Sequence, residues 1–313
     1  MEAVGKLAGA AAVRVRSAVT LAAAVERLLA LAVELVDEGD DRDVAQAADL
    51  EQLQRLRLDP LGRVQQELWS VETQSATLLG RLTWDVSGQQ DHATAARYYD
   101  QALAAASNVK EGWAEAFPRM FQRFNPVAAG SMDLRRGLAL AELASARAQD
   151  GASHVVAGWS LAFTAEAHAL LGEERNAKLA LDRADLHLSK AAADDPMAGV
   201  FAREQLGGFV GACHLHLRDP RGAQVALQES AQGLGAGKEK HKSVILGDVS
   251  TALVLRGDPE QASAVLHQAI DLVELTGSAA GKRRVFAAGR QLGSWRNEPF
   301  AQEVQDRLLA LAC

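Results

Sequence analysis

The sequence predicts an all-α fold: a right-handed solenoid of stacked helix pairs. Three observations predict it. The first is composition: of 313 residues 48% are hydrophobic but only 5% aromatic, and 7 are proline. Ala and Leu dominate, which favours helix over sheet. The second is a hairpin signal around Gly257-Asp258-Pro259. Before it, apolar residues recur at Ile245, Leu246, Val249, Ala252 and Leu253; after it, at Ala262, Val265, Leu266, Ala269, Ile270 and Val273. Both sets have the three-four spacing of an amphipathic helix. Gly257 suits a left-handed helix end, Asp258 a cap, and Pro259 the first position of the next helix. The third is repetition. The small residues Ala95, Gly137, Ala177, Ala223 and Ala262 follow one another at spacings of 42, 40, 46 and 39 residues. A period of this length marks stacked helix pairs, with small residues where paired helices touch.

The elements follow in order. Residues 1–60 are expected to be N-terminal helices packing on the solenoid: an apolar helix over 17–36, an acidic link, and a short helix over 44–58 ended by Asp59-Pro60. Residues 61–313 form the repeat domain, with about five pairs. The first copy, LLGRLTWDVSGQQDHATAARYYDQALAAA, turns near Gly88. A weaker copy spans 109–149, its second helix reading LRRGLALAELASARA. The third turns at Gly172, the fourth at Asp219-Pro220 and the fifth at Gly257. Residues 233–242, GLGAGKEKHK, read as a flexible loop, because glycines are followed by charge. GSWRNEP (293–299) punctuates before a last helix over 300–311, which caps the open end.

Charge and cysteine usage narrow the class. The formal charge is −7, which does not favour a polyanionic partner. Cys213 and Cys313 lie far apart with no CxxC, so a reducing, cytoplasmic setting is expected. The N-terminal apolar run is short and broken by Arg14 and Arg16, unlike a membrane span or a signal peptide.

Leu79-Gly80, Gly88, Ala95, Tyr99 and Ala102 resemble the tetratricopeptide repeat, with a longer turn. Over residues 64–310 the chain resembles the C-terminal sensor region of actinobacterial helix-turn-helix (XRE-type) transcriptional regulators. The segments that carry this are LLGRLTWDVSGQQDHATAARYYDQAL, DLRRGLALAELASARA, AGWSLAFTAEAHALLGE, ALDRAD and GDVSTALVLRGDPEQASAVLHQAIDLVELTGSAAGKRRV. The resemblance implies a regulatory module that senses a ligand or a partner. The regulators carry a DNA-binding unit ahead of the sensor. Here residues 1–60 hold 7 Lys or Arg against 11 Asp or Glu, a net −4, with no basic recognition helix, so no direct nucleic-acid binding is expected.

Candidate chemistry is sparse. His214 and His216 are two apart and point to different sides of a helix, so packing is favoured over metal binding. GAGKEK (235–240) lacks the glycine and Ser/Thr of a phosphate-binding loop. GKRR (281–284) reads as a solvated helix end. No catalytic set, cofactor or metal site is expected.

The groove is more informative. In a tetratricopeptide array the first helix of each pair lines the concave face. Carried over, the inward positions are Thr77, Arg81 and Trp84; Trp113, Arg119, Gln122 and Arg123; Trp159, Ala162 and Glu166; Gln205, Gly208 and Ala212; and Gly247 and Thr251. The small residues would leave room, and Trp84 and Trp159 would form walls. The ligand-binding set is Arg81, Trp84, Arg119, Gln122, Arg123, Trp159, Glu166 and Gln205, with Glu166 pairing one of the arginines in the empty state. The groove would take a peptide or small molecule by reversible closure of the superhelix. Constitutive binding of a partner protein is the alternative, and an enzyme on a helical scaffold a third reading. No membrane partner is expected, and homodimerisation stays open.

Overall fold

A computed structural model of the chain describes residues 62–86, 91–122, 134–149, 153–198, 200–201 and 203–312. The helices expected over 1–60, the turn at Gly88, and Arg123 lie outside the described residues. Within them are twelve α-helices: α1 (Gly62–Val86), α2 (His92–Ala106), α3 (Gly112–Gln122), α4 (Leu134–Gln149), α5 (His154–Leu170), α6 (Glu174–Leu188), α7 (Leu206–His216), α8 (Pro220–Gly233), α9 (Glu239–Arg256), α10 (Pro259–Thr276), α11 (Ala279–Gln291) and α12 (Pro299–Ala312). They pack as consecutive antiparallel pairs, α1 with α2 through α11 with α12. The first helices touch in succession, α1–α3–α5–α7–α9–α11, and each second helix also packs on the next first helix. This is an all-α helical-repeat solenoid of tetratricopeptide-like organisation. The closing segment, expected as a cap, makes a sixth pair, in which α12 packs on α10 as well as α11. Across the inner side α1 also meets α11. Among the described residues no helix is long and apolar enough to cross a membrane.

Turn chemistry sets the hairpins. Gly257 ends α9 with φ 87°, and the amides of Gly257 and Asp258 donate to the carbonyls of Val254 and Leu253. Pro259 opens α10 as expected, but the Asp258 side chain makes no capping bond. Asp219 does cap: its carboxylate accepts from the Gly222 amide at 3.0 Å. The expected loop 233–242 is shorter than the sequence suggests. Helix α8 includes Gly233, and α9 begins at Glu239, whose carboxylate accepts from the Gly237 amide at 3.1 Å.

Close approach within pairs rests on small residues. A Cβ on Gly80 would lie 2.6 Å from the Tyr99 ring, and one on Gly211 2.2 Å from Leu227 Cγ. Ala95, Ala177, Ala223 and Ala262 are at most 1% exposed. The Ser250 hydroxyl of α9 donates to the Ala262 carbonyl of α10 at 2.9 Å, so this pair meets at the expected place.

The middle of the chain is the most deeply packed. Every residue of α5 from Val155 to Ala165 is buried, so this helix is apolar all round and enclosed on all sides. Its hydroxyls are satisfied locally: Thr164 donates to the Ser160 carbonyl at 2.9 Å and shares a 2.8 Å bond with Ser145 of α4. The long spacing between Ala177 and Ala223 comes from the segment between α6 and α7. Asp195 anchors it, accepting from the Ser153 hydroxyl at 2.6 Å and from the amides of Met197 and Val155. Met197 and Phe201 are thereby buried against the α5 core.

Gly211→Ala should cost about 1–3 kcal/mol, because Leu227 must move to admit the methyl group. Gly233→Ala meets nothing within 4 Å and should instead stabilise by about 0.4–1 kcal/mol. Ala262→Leu should match the first loss. Denaturant melts of the three variants check the register; equal midpoints for Gly211→Ala and Gly233→Ala would contradict it.

Candidate site on the inner face of the first helices

The inner face has two neighbouring layers. One is aromatic. Trp159 and Phe163 of α5 meet Phe121 of α3 at centroid distances of 5.4 and 5.9 Å. Phe201, from the inserted segment, stacks on Trp159 at 4.9 Å with planes 5° apart, and Phe209 of α7 meets Phe163 edge-on at 5.3 Å. Arg81 of α1 lays its guanidinium over Phe121 at 4.7 Å and over Trp159 at 5.6 Å. A cation over an aromatic face is attractive, more so where water is excluded.

This layer changes the expected groove. Arg81 and Trp159 are together, but Trp84 and Trp159 are each only 7% exposed and serve the core rather than open walls. The physical reason for Trp159 is Phe201, which covers its ring. Ala162 is fully buried, and a Cβ on Gly247 would lie 2.8 Å from Arg284 Cβ. These small residues admit neighbouring helices, not a ligand. Thr77 is likewise buried, its hydroxyl bonded to the Thr73 carbonyl at 2.7 Å.

Two expected site residues pair elsewhere, and a third lies in a turn. Arg119 pairs with Glu115 on its own helix at 2.6 Å, and Arg147 of α4 reaches the same carboxylate at 3.4 Å. The expected pairing of Glu166 with one of the arginines is therefore not made through Arg119. Gln122 donates to Asp100 of α2 at 3.1 Å. Gln205 is half-buried in the short 3-10 turn Arg203–Gln205 that leads into α7.

Glu166 belongs to the second layer, which is charged. Four successive first helices each contribute one residue: Glu166 from α5, His216 from α7, Asp248 from α9 and Arg284 from α11. Glu166 Oε1 lies 3.8 Å from His216 Nε2, and Asp248 Oδ1 lies 3.4 Å from Arg284 Nη1. The Asp248 side chain is 8% exposed, while Arg284 is 39% exposed. Burial pushes the Asp248 carboxyl up, and the Glu166 charge adds to this; Arg284 and His216 oppose both without cancelling them. Asp248 in turn holds the Arg284 proton more tightly. A perturbed carboxyl amid convergent charges makes this layer the candidate site.

Sequence reasoning found Glu166 but missed the other three. Asp248 falls three residues after Ile245 and four before Ala252, squarely on the buried stripe of α9. Arg284 falls likewise between Gly281 and Ala288, both buried, and is engaged by Asp248, while Lys282 of the same GKRR run is exposed. A charge on an apolar stripe was the available signal. Of the two histidines set aside as packing, His214 braces its turn through Asp219 at 3.0 Å. His168 does the same one repeat earlier with Glu173 at 2.7 Å, holding that carboxyl below its usual range. Among the described residues no three His, Cys, Asp or Glu side chains are grouped to hold a metal ion.

Neither a protein-family model nor a curated protein sequence matches the chain. Among solved structures it is similar to BtubC (BKLC) from P. vanneervenii, at 16% identity over 80% of this chain and 91% of that one, with a TM-score of 0.48. It is also similar to the nearly identical TPR-like repeats of a Podospora anserina protein described as a kinesin light chain. There the identity is 15% over 65% of this chain and 95% of that one, with a TM-score of 0.42.

The raised Asp248 carboxyl has a testable sign. The native state keeps this proton to higher pH than the unfolded chain, so its stabilising effect is full below the unfolded value of about 3.9 and is lost as pH rises through the native value. Asn cannot ionise. Asp248→Asn should therefore melt higher than wild type at neutral and alkaline pH, and the gap should close on acidification. A variant that melts lower at neutral pH, with the deficit vanishing in acid, would show that the ionised carboxylate stabilises the fold.

Proposed function

We propose that the chain is a ligand- or partner-sensing tetratricopeptide-like module that binds through the charged inner layer of α5, α7, α9 and α11. The observation that carries this reading is Asp248. Its carboxyl is buried, and its one polar partner among the described residues is Arg284, at a long 3.4 Å. A fold gains nothing from a carboxyl desolvated without good donors. Such a group is more economically explained by what it receives. The regulatory role follows from the sequence resemblance to regulator sensor regions, and the chain would act without contacting nucleic acid itself.

A second reading, a constitutive scaffold for another protein, has its own observation. The second helices of successive pairs carry exposed large aliphatics: Leu179 and Leu186 on α6, Val225 on α8, Leu275 on α10 and Leu309 on α12. These face away from the core and suit protein contacts better than a small ligand.

Capture from a lysate of the source organism separates the two. Wild type and an Asp248→Asn/Arg284→Gln variant are immobilised, and retained small molecules and proteins are identified by mass spectrometry. The inner-face reading expects a species held by wild type and depleted about tenfold or more by the variant, equivalent to about 1.4 kcal/mol. Equal recovery on both would reject it. Loss of a protein only on Leu186→Ser/Leu275→Ser would favour the scaffold.

A further inference from the structure

Two histidines meet at the open end of the third helix pair. His154 opens α5, and His187 lies in the last turn of α6. Their Nδ1 atoms stand 3.2 Å apart. The rings are tilted by 52° with centroids 5.4 Å apart, so they converge on their nitrogens rather than stack. His154 is exposed and His187 half-buried, which leaves the pair open to solvent on one side. At this distance both facing nitrogens cannot carry hydrogen; at least one presents a lone pair to the other.

The spacing fits a shared ion. Imidazole nitrogens bind a first-row divalent ion such as zinc at about 2.0–2.1 Å. Two nitrogens held at that length stand about 2.9 Å apart at a right angle and about 3.4 Å apart at the tetrahedral angle. The observed separation falls between the two. The backbone beneath the pair is fixed as well. Asp195 accepts from the Ser153 hydroxyl at 2.6 Å and from the Val155 amide at 3.2 Å, one on each side of His154. One turn further along α5, a Cβ on Gly158 would lie 2.5 Å from Leu188 Cγ, so the two helices are in close contact beside His187. Ligands carried on rigid elements converge without reorganisation.

The surroundings select the kind of ion. Among the described residues no third His, Cys, Asp or Glu joins the pair, so water takes the remaining coordination positions. The positive charges of Arg183 and Lys190 bear on His187. A hard cation such as Mg²⁺ or Ca²⁺ requires oxygen ligands and gains nothing here. Imidazole suits copper, nickel and zinc, with Cu²⁺ bound most tightly.

We propose that His154 and His187 form a surface chelate for a divalent transition ion of the copper, nickel and zinc group, which clips the first turn of α5 to the last turn of α6. The ring that donates in the free pair takes its other tautomer, with hydrogen on Nε2. Both Nδ1 lone pairs then turn to the ion, and a neutral pair releases no proton. The site is separate from the charged inner layer and does not rest on the reading given for it.

Titration of the full chain with Cu²⁺, Ni²⁺, Zn²⁺ and Mg²⁺ at neutral pH, followed by calorimetry and thermal melting, tests it. Binding is expected to be tightest for Cu²⁺. At a hundredfold excess over Kd the ion should raise the melting temperature by about 5 °C, while Mg²⁺ leaves it unmoved. His154→Gln and His187→Gln should each weaken Ni²⁺ binding about tenfold or more and remove the rise, with the helical circular-dichroism signal retained. His267→Gln, on α10, should change neither. Electron paramagnetic resonance of the Cu²⁺ form should show hyperfine splitting from two ring nitrogens, and from one in either variant. Undiminished Ni²⁺ binding by either variant would overturn the proposal. So would the absence of heat and of any thermal shift with Cu²⁺, Ni²⁺ and Zn²⁺ alike at about 1 mM, where millimolar affinity would register.

Discussion

A helix with no solvent face holds this fold together. From Val155 to Ala165 every side chain of α5 is buried, and the helix packs on α3, α4, α6 and α7. Helices of a stacked array ordinarily keep one polar side. Here the segment between α6 and α7 supplies the missing cover, pinned by Asp195 to the start of α5 and pressing Phe201 on Trp159. The inserted residues that stretch the repeat spacing to 46 are therefore structural, and they close the aromatic half of the inner face. The other half lies toward α7, α9 and α11, where the charges are. The fold itself thus separates a filled half from a polar half.

The polar half depends on the stacking of hairpins rather than on any one of them. Glu166, His216, Asp248 and Arg284 come from four pairs, so their spacing is set by how α5, α7, α9 and α11 lie against one another. Such a group contributes little net stability, since desolvation offsets attraction. The exposed pair Arg203–Asp185, bidentate at 2.6 and 2.7 Å, contrasts with it: the geometry is better, but the pair links the inserted segment only to α6.

Much of the architecture was legible in the chain. Gly257, Pro259 and Asp219 mark turns because the left-handed conformation, the fixed proline angle and the capping carboxylate are local properties. The small residues from Ala95 to Ala262 mark close approach because a bulky side chain there cannot be accommodated. The site was less legible. A repeat register tells which helix faces inward, but not which inward residues a later segment will cover, so Trp159 could not be recognised as filled before Phe201 was placed. Arg119 was drawn outward by Glu115, four residues before it, a local pair that the inward assignment had not weighed. Asp248 and Arg284 required the reverse inference, from a charge set on a buried stripe to a partner many residues away.

The contact between α1 and α11 sets the direction in which the molecule can respond. A coil whose early and late turns already touch cannot be wound tighter without compressing packed helices, and protein interiors resist compression. Closure of the superhelix around a ligand would have to work against this contact. The free coordinate is unwinding, and because each pair contacts only its neighbours, small rotations would add along the array. Any lengthening of the coil would first have to part α11 from α1.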